Sequence, residues 1–472
     1  MKKIANFALS SLCVAMLAAC SGDDGKDGID GATGTAGVDG TNGVSTFVTE
    51  KDVVITNAQH AYAVYADSLI AAKQLKNTLE QFVASPTDEN FTAAKNAWLD
   101  AREPYGQSEV YRFREGPIDN LTSDENGNPV LVAEEGPEGA INAWPLAEAL
   151  IDYTVDMDGA QLPENPATLP VGGNIIADIA EFPEITKALL AEQFERGDDE
   201  ANVTSGYHAI EFLLWGQDLN IDGSYTPNRD YSAGYRKVND YYTTASGMGE
   251  CTSGVDNIVD SSICERRGDY LIAAADLLID DLQGVVDAWT PGSGFHYVEF
   301  TKDENVKMSL AKILEGMGRL SFGELAGERM SIALRTDSQE DEHSCFSDNT
   351  HRDIFLNAKG IQNAFNGAYQ RMDGETLEGA SIYDLLVVDG SHELANELRA
   401  AIEDTMAKAA VIDTNAKLGY SFDVQIQHAD LKQPVTNTIE ALKSQTQVIK
   451  KAIEALEVTT GDLEQDTEEF EG

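Results

Sequence analysis

Residues 53–82 read VVITNAQHAYAVYADSLIAAKQLKNTLEQF. Val53, Ala61, Val64, Tyr65, Ser68, Leu69, Ala72, Leu75, Leu79 and Phe82 recur at spacings of three and four, the period of a helix that turns one face to a core. Ser85-Pro86-Thr87 stops the run, and a second helix is expected from Asp88 to about Arg102. The same period returns in Ile263–Asp287, Phe300–Leu334, Ile354–Tyr369, Ser391–Val411 and Ala429–Leu456. Strand-like alternation is scarce. Two acidic stretches with Pro and Gly, Thr122–Gly139 and Met157–Pro170, read as loops. The fold class that follows is all-α, a bundle in which sites are built from side chains on facing helices.

The chain has 472 residues, 42% of them hydrophobic, enough for a sizeable core in one large or two medium domains. Its charge is lopsided: 33 Lys and Arg face 81 Asp and Glu, a formal net of -48. Such a surface repels phosphates, which argues against nucleic acid as a partner. It attracts cations and keeps the chain soluble.

At the N-terminus, Lys2 and Lys3 precede an apolar run from Ala5 to Leu17 that ends in Leu17-Ala18-Ala19-Cys20. Positive residues, a short apolar stretch and small residues at its end make a secretory leader over 1–19. The last four residues look like a lipobox, which makes Cys20 the lipid-bearing residue and the membrane a partner through that lipid. Ser21, rather than Asp, resembles an outer-membrane address in the bacterial envelope. Gly then occupies every third position from Gly22 to Gly43 without a proline. That collagen-like period reads as an acidic tether over 20–46, with a trimerising stalk as the alternative. In an oxidising compartment, Cys251 and Cys264, which flank a Gly/Ser/Asp-rich stretch, are expected to pair and to leave Cys345 outside the bridge.

The chemistry concentrates in Gly206-Tyr207-His208-Ala209-Ile210-Glu211-Phe212-Leu213-Leu214-Trp215-Gly216. Its apolar residues spread around most of the helix circumference, so the helix is buried. His208 and Glu211, three apart, are carried inside on one face. A buried carboxylate needs a partner or a metal. The pair is therefore a metal-ligand candidate, or a His–Glu hydrogen bond that only stabilises the core. It is not the H-E-x-x-H of zinc peptidases, because only one His is present. Further donors are Glu109, which shares a face with Arg112 if that segment is helical, and Asp152, at i, i+4 from Glu148. Nitrogen and oxygen donors suit Fe, Zn or Cu. The segment Gln339–Asp353 packs two His, a Cys and several acids into a short stretch. Ser347, Asp348 and Asn349 there read first as helix caps, which accounts for only one of them.

Taken together, several segments resemble the imelysin family of imelysin-like or iron-regulated protein A-like lipoproteins. Ala101-Arg102-Glu103-Pro104-Tyr105 with Ser108–Phe113, and Asn142–Leu146, resemble its N-terminal block. Gly206–Glu211 matches its Gly-x-His-x-x-Glu signature, and Gly327–Met330 with Asp341–Asp353 resembles its C-terminal block. The resemblance implies an all-helical envelope protein over 47–458, with two bundle halves of roughly 47–250 and 251–458 meeting at a shared site, then an acidic tail over 459–472. It implies His208 and Glu211 as metal ligands, with Glu109 next and Asp152 after it. Arg102, Arg112, Asp348, Asn349 and His351 would line the same interface. It also implies a divalent or ferric metal ion (Fe, or Zn or Cu), a link to iron acquisition, and envelope iron-uptake proteins as partners. Three functions stay open: a metal-binding component of iron acquisition, a metallopeptidase of the imelysin class, and a metal-free module that binds an organic ligand or peptide.

Overall fold

The computed structural model describes residues 48–154, 174–218, 232–254, 257–337 and 341–464. The leader, the Gly-rich stretch and the expected Met157–Pro170 loop lie outside these residues. The first helix, α1 (Glu50–Ala84), begins at a capping box. Thr49 takes the Asp52 backbone N–H, and the Asp52 carboxylate takes the Thr49 N–H at 2.9 Å, so two orphan donors of the first turn are satisfied. Its apolar stripe buries Val54, Leu75, Leu79 and Phe82 completely, each adding roughly 1.5–3 kcal/mol by leaving water. Pro86 follows the last turn, and Thr87 caps the next helix, α2 (Asp88–Ser108), by accepting from Asn90 N at 3.2 Å. That helix runs past its expected end at Arg102 and accommodates Pro104 inside it.

Five further helices complete the part of the fold that positions the site. They are α3 (Glu138–Asn142), α4 (Gly206–Trp215), α5 (Ser261–Trp289), α6 (Val306–Arg319) and α7 (Thr350–Asn366). Two long helices, α8 (His392–Lys417) and α9 (Lys432–Ala455), pack on each other at the C-terminal side. The helix α1 packs between α2 and α5, and α7 leans on both α2 and α8. One large core gathers the apolar faces of α1, α2, α4 and α5. A second core joins Ile354 and Ala358 of α7, Ala409 and Ile412 of α8, and Val435, Ile439 and Leu442 of α9.

The expected helix over Phe300–Leu334 is not uniform. After α6 the chain continues as a π-helical stretch, Leu320–Ile332. The helix expected to reach Tyr369 ends at Asn366, because Gly367 turns left-handed (φ 61°). Earlier in the chain β1 and β2 form one hairpin (Leu121–Ser123 with Pro129–Leu131), and after α7 β3 and β4 form another (Ala368–Gln370 with Thr376–Glu378). The first of these replaces part of the loop expected over Thr122–Gly139. The expected bridge between Cys251 and Cys264 is present, and Cys345 is buried.

Candidate functional site

The helix α4 is short, and every residue in it is buried. Gly206 opens it at φ 81°, with α3 so close that a Cβ there would lie 2.4 Å from the carbonyl oxygens of Ala140 and Ile141. Only glycine permits both that backbone and that approach. The contact brings the end of α3, and Asn142 with it, to the start of α4.

His208 and Glu211 meet on the inner face of α4, 1% and 0% exposed. His208 Nδ1 lies 2.7 Å from Glu211 Oε2. The other carboxylate oxygen, Oε1, accepts from the Ser347 backbone N–H at 2.9 Å and from its hydroxyl at 2.6 Å. Both oxygens of Glu211 are thus engaged. His208 Nε2 is buried and has no hydrogen-bond partner. Around it, Trp144 packs edge-on with ring centroids 5.3 Å apart, and His343 does the same at 4.6 Å.

His343 belongs to a second chain of bonds. Its Nδ1 lies 2.9 Å from Asp353 Oδ2, and Asp353 Oδ1 accepts from Arg102 Nη2 at 2.9 Å. Arg102 also donates to Asn142 Oδ1. The Asn142 amide nitrogen sits 3.2 Å from Glu109 Oε1 and 3.4 Å from His343 Nε2. Glu109 Oε2 in turn takes Arg329 at 3.1 Å and Arg112 at 3.3 Å. Arg329 adds Glu324 at 2.8 Å and Asn357 Oδ1 at 2.6 Å. Asn357 donates to Gly106 O at 3.0 Å, which ties α7 to α2. The two helices approach so closely there that a Cβ on Gly360 would sit 2.5 Å from Gln107 O.

Burial sets the protonation of this assembly. It holds the His208 imidazole well below its ordinary range, reinforced by His343 and Arg102. It brings His343 down to about 4, with Arg329 adding to the effect. Both rings are neutral at pH 7, the form in which imidazole ligates. Glu211 is pushed up to about 8, burial outweighing the Ser347 bonds. Burial also opposes charge on Asp353, yet Arg102 and His343 hold its carboxyl well below the usual carboxylate range. A cavity of about 300 Å³ reaches this network, lined among others by His343, Trp144, Asn142, Glu138, Glu324 and Arg329. Glu138 there is raised to about 7 by burial. Glu324 falls to about 2, because Arg112 and Arg329 overcome its burial. His208 lies behind the Trp144 and His343 rings that form part of the cavity wall.

Of the residues singled out in the sequence, the structure gathers His208, Glu211, Glu109, Arg102 and Arg112 into this region. Asp152 lies elsewhere. It follows a one-turn helix, Glu148–Ile151, in an extended conformation, so the i, i+4 relation to Glu148 does not place both on a helical face. Its carboxylate is held by Arg236 at 2.7 Å and Arg267 at 2.6 Å. Asp348, Asn349 and His351 line a different cavity, on the Ser347 side. His343, Asp353, Asn142, Ser347 and Arg329 lie in quoted segments without having been named as site residues, and Glu324 lies in none of those motifs. Asp353 and Asn357 carried a usable signal: two polar residues four apart beside the apolar positions Ile354, Ala358 and Ile361. Among the described residues, no group of three or more His, Cys, Asp or Glu side chains is arranged to hold a metal ion.

A family model described as Imelysin matches residues 61–449. Iron-regulated protein A of Synechococcus elongatus is 22% identical over 319 residues, which cover 66% of this chain. That match spans 62% of the relative's own length. A crystal structure described as an iron-regulated protein A precursor, from Parabacteroides distasonis, superposes with a TM-score of 0.56 at 16% identity. It covers 87% of this chain and 96% of that one. An imelysin-like protein from Psychrobacter arcticus gives a TM-score of 0.53 at 14% identity, covering 89% and 99%. At these identities the two structures speak for the fold alone.

Proposed function

The chain belongs to the imelysin family, and from that premise we propose that it binds a metal ion at His208 as an envelope lipoprotein linked to iron acquisition. The observation that carries the reading is His208 Nε2, a buried nitrogen without a partner on a neutral ring. A buried polar atom left unpaired is costly, and such atoms mark places where a ligand or ion completes the structure. His343 offers a second imidazole, whose Nε2 meets the Asn142 amide at 3.4 Å. A bound ion would supply a positive centre held by nitrogen and oxygen donors, chemistry that suits Fe, Zn or Cu.

Glu211 acts in this reading as the group that fixes the His208 ring. Burial keeps a proton on Glu211 at pH 7; a bound ion would displace it, and the carboxylate would then accept from His208 Nδ1–H and leave Nε2 to ligate. The peptidase reading needs a carboxylate oxygen available to a water. Both Glu211 oxygens are already taken, by His208 and by Ser347, and so Glu211 does not supply that base. The leader at 1–19 and Cys20 support the envelope assignment, with lipid as the anchor. No helix among the described residues is long and apolar enough to cross a membrane.

Calorimetric titration of the purified protein with Fe(II) and with Zn(II) tests the site. We expect saturable binding that His208→Ala abolishes and Glu211→Gln weakens by ~10–100-fold, as second partners of ligating histidines do. Binding that survives His208→Ala unchanged removes the site as described.

A further inference from the structure

Beside Ser347, whose N–H and hydroxyl hold Glu211, lies a second cavity. It measures about 580 Å³, shares no lining residue with the first and is walled by Asp100, Glu103, Asn349, His351, Arg352 and Lys417 among others. Its cations are already matched. Arg352 lies on both oxygens of Glu103, at 2.8 and 2.7 Å, and on Asp413 at 3.1 Å. Lys417 takes the other Asp413 oxygen at 2.7 Å. His351 packs its Nδ1 2.9 Å from the Asp348 carbonyl, and burial lowers its affinity for a proton. Asp100, exposed at the cavity wall, enters none of these pairs. The cavity therefore carries an excess of negative charge.

One hydrogen-bond donor is left over at the same wall. Asn349 is the N-cap residue of α7, yet its side chain makes no capping bond. It is 5% exposed, and its amide nitrogen has no partner. A buried amide N–H in that state costs more than a made bond returns, so a ligand carbonyl there gains the difference. Leu418 and Tyr420, 70% and 47% exposed, are the chain neighbours of Gly419, which lines the cavity. The wall thus offers an unpaired carboxylate, an unspent amide donor and an apolar edge together.

We propose that this cavity binds an α-ammonium group with an adjacent carbonyl oxygen: the ammonium at Asp100, the carbonyl at Asn349, and an apolar side chain toward Leu418 and Tyr420. Free amino acids and peptide amino termini share that chemistry. The proposal goes beyond the metal reading and stands without it.

Calorimetry on the full chain tests it with leucinamide, free leucine, a Leu-Leu dipeptide amide and N-acetyl-leucinamide. Leucinamide should bind saturably, and the acetylated probe, without its ammonium, at least about tenfold more weakly. Asn349→Leu and Asp100→Asn should each weaken leucinamide about tenfold, while the metal titration at His208 stays unchanged. Tighter binding of the dipeptide amide than of free leucine assigns the cavity to peptide termini, and the reverse order to free amino acids. Asp100 is exposed, so its variant keeps the test alive if Asn349→Leu does not fold. No saturable binding of any probe, equal binding of the acetylated probe, or binding indifferent to both variants overturns the proposal.

Discussion

Replacing Asp353 by Asn should destabilise the protein by about 3–5 kcal/mol, the range for breaking a buried ion pair from one side. The structure explains why the penalty is not smaller. Asp353 is 0% exposed and serves three donors: Arg102, the His343 ring nitrogen and the Ser344 hydroxyl. An Asn keeps one acceptor oxygen and turns an amide N–H toward donors. Arg102, also 0% exposed, would then keep a buried charge whose own carboxylate is gone. Taking the roughly 380 described residues at about 2.1 cal/mol/K each, the unfolding entropy is near 0.8 kcal/mol/K, so the melting temperature should fall by about 4–6 °C. Differential scanning calorimetry of wild type, Asp353→Asn, Arg102→Met and the double variant measures this as a cycle. Removing both charges should recover at least about half of the loss, because no uncompensated cation remains. An Asp353→Asn melt within about 1 °C of wild type, or a double variant that loses the full sum of the singles, refutes the reasoning.

His296 packs edge-on to Trp289, with ring centroids 4.4 Å apart, and burial lowers its pKa to about 3. The unfolded ring titrates near 6.5, so the folded state binds fewer protons between these values. Stability is full above about pH 6.5 and drains as pH falls toward 3; at pH 5 the loss is about 2 kcal/mol. Urea titrations of His296→Phe should show a flatter acid limb than wild type, and parallel limbs would count against it. Gly206→Ala forces a left-handed alanine against two carbonyls, and we expect a loss of more than about 2 kcal/mol in chemical denaturation together with the His208 metal signal. Replacing both Cys251 and Cys264 by Ala opens a loop of sequence separation 13. That should cost about 3 kcal/mol, read as a lower denaturation midpoint, with metal binding preserved because neither residue touches the His208 network.

The helical architecture was legible because the apolar stripes of α1, α5 and α9 repeat at the helix period with little interruption. Helix ends were read less well: Gly367 stops α7 through a left-handed turn whose glycine resembles several others in the chain. His208 and Glu211 could be recognised as interior because their neighbours are apolar on every side. The remainder of the site depends on distant segments meeting. Arg102 reaches Asp353 across 251 positions, and Glu211 reaches Ser347 across 136; no local spacing encodes such pairs. Asp152 misled for the opposite reason. Its spacing from Glu148 looks helical, but the chain leaves the helix at that residue to meet two arginines. The general acidity of the chain also hides the few carboxylates that matter among many that only face water.

The π-helical stretch Leu320–Ile332 brings residues five apart onto one face, where Glu324 and Arg329 touch. Deleting one residue between them would let the stretch relax to ordinary α winding with hardly any change in composition. Glu324 and Arg329 would then stand four apart on an α-helix, on one face, and their contact would survive. Winding the same five-residue spacing as an α-helix without a deletion would instead turn Arg329 out of phase by about 100°, away from Glu109 and Asn357.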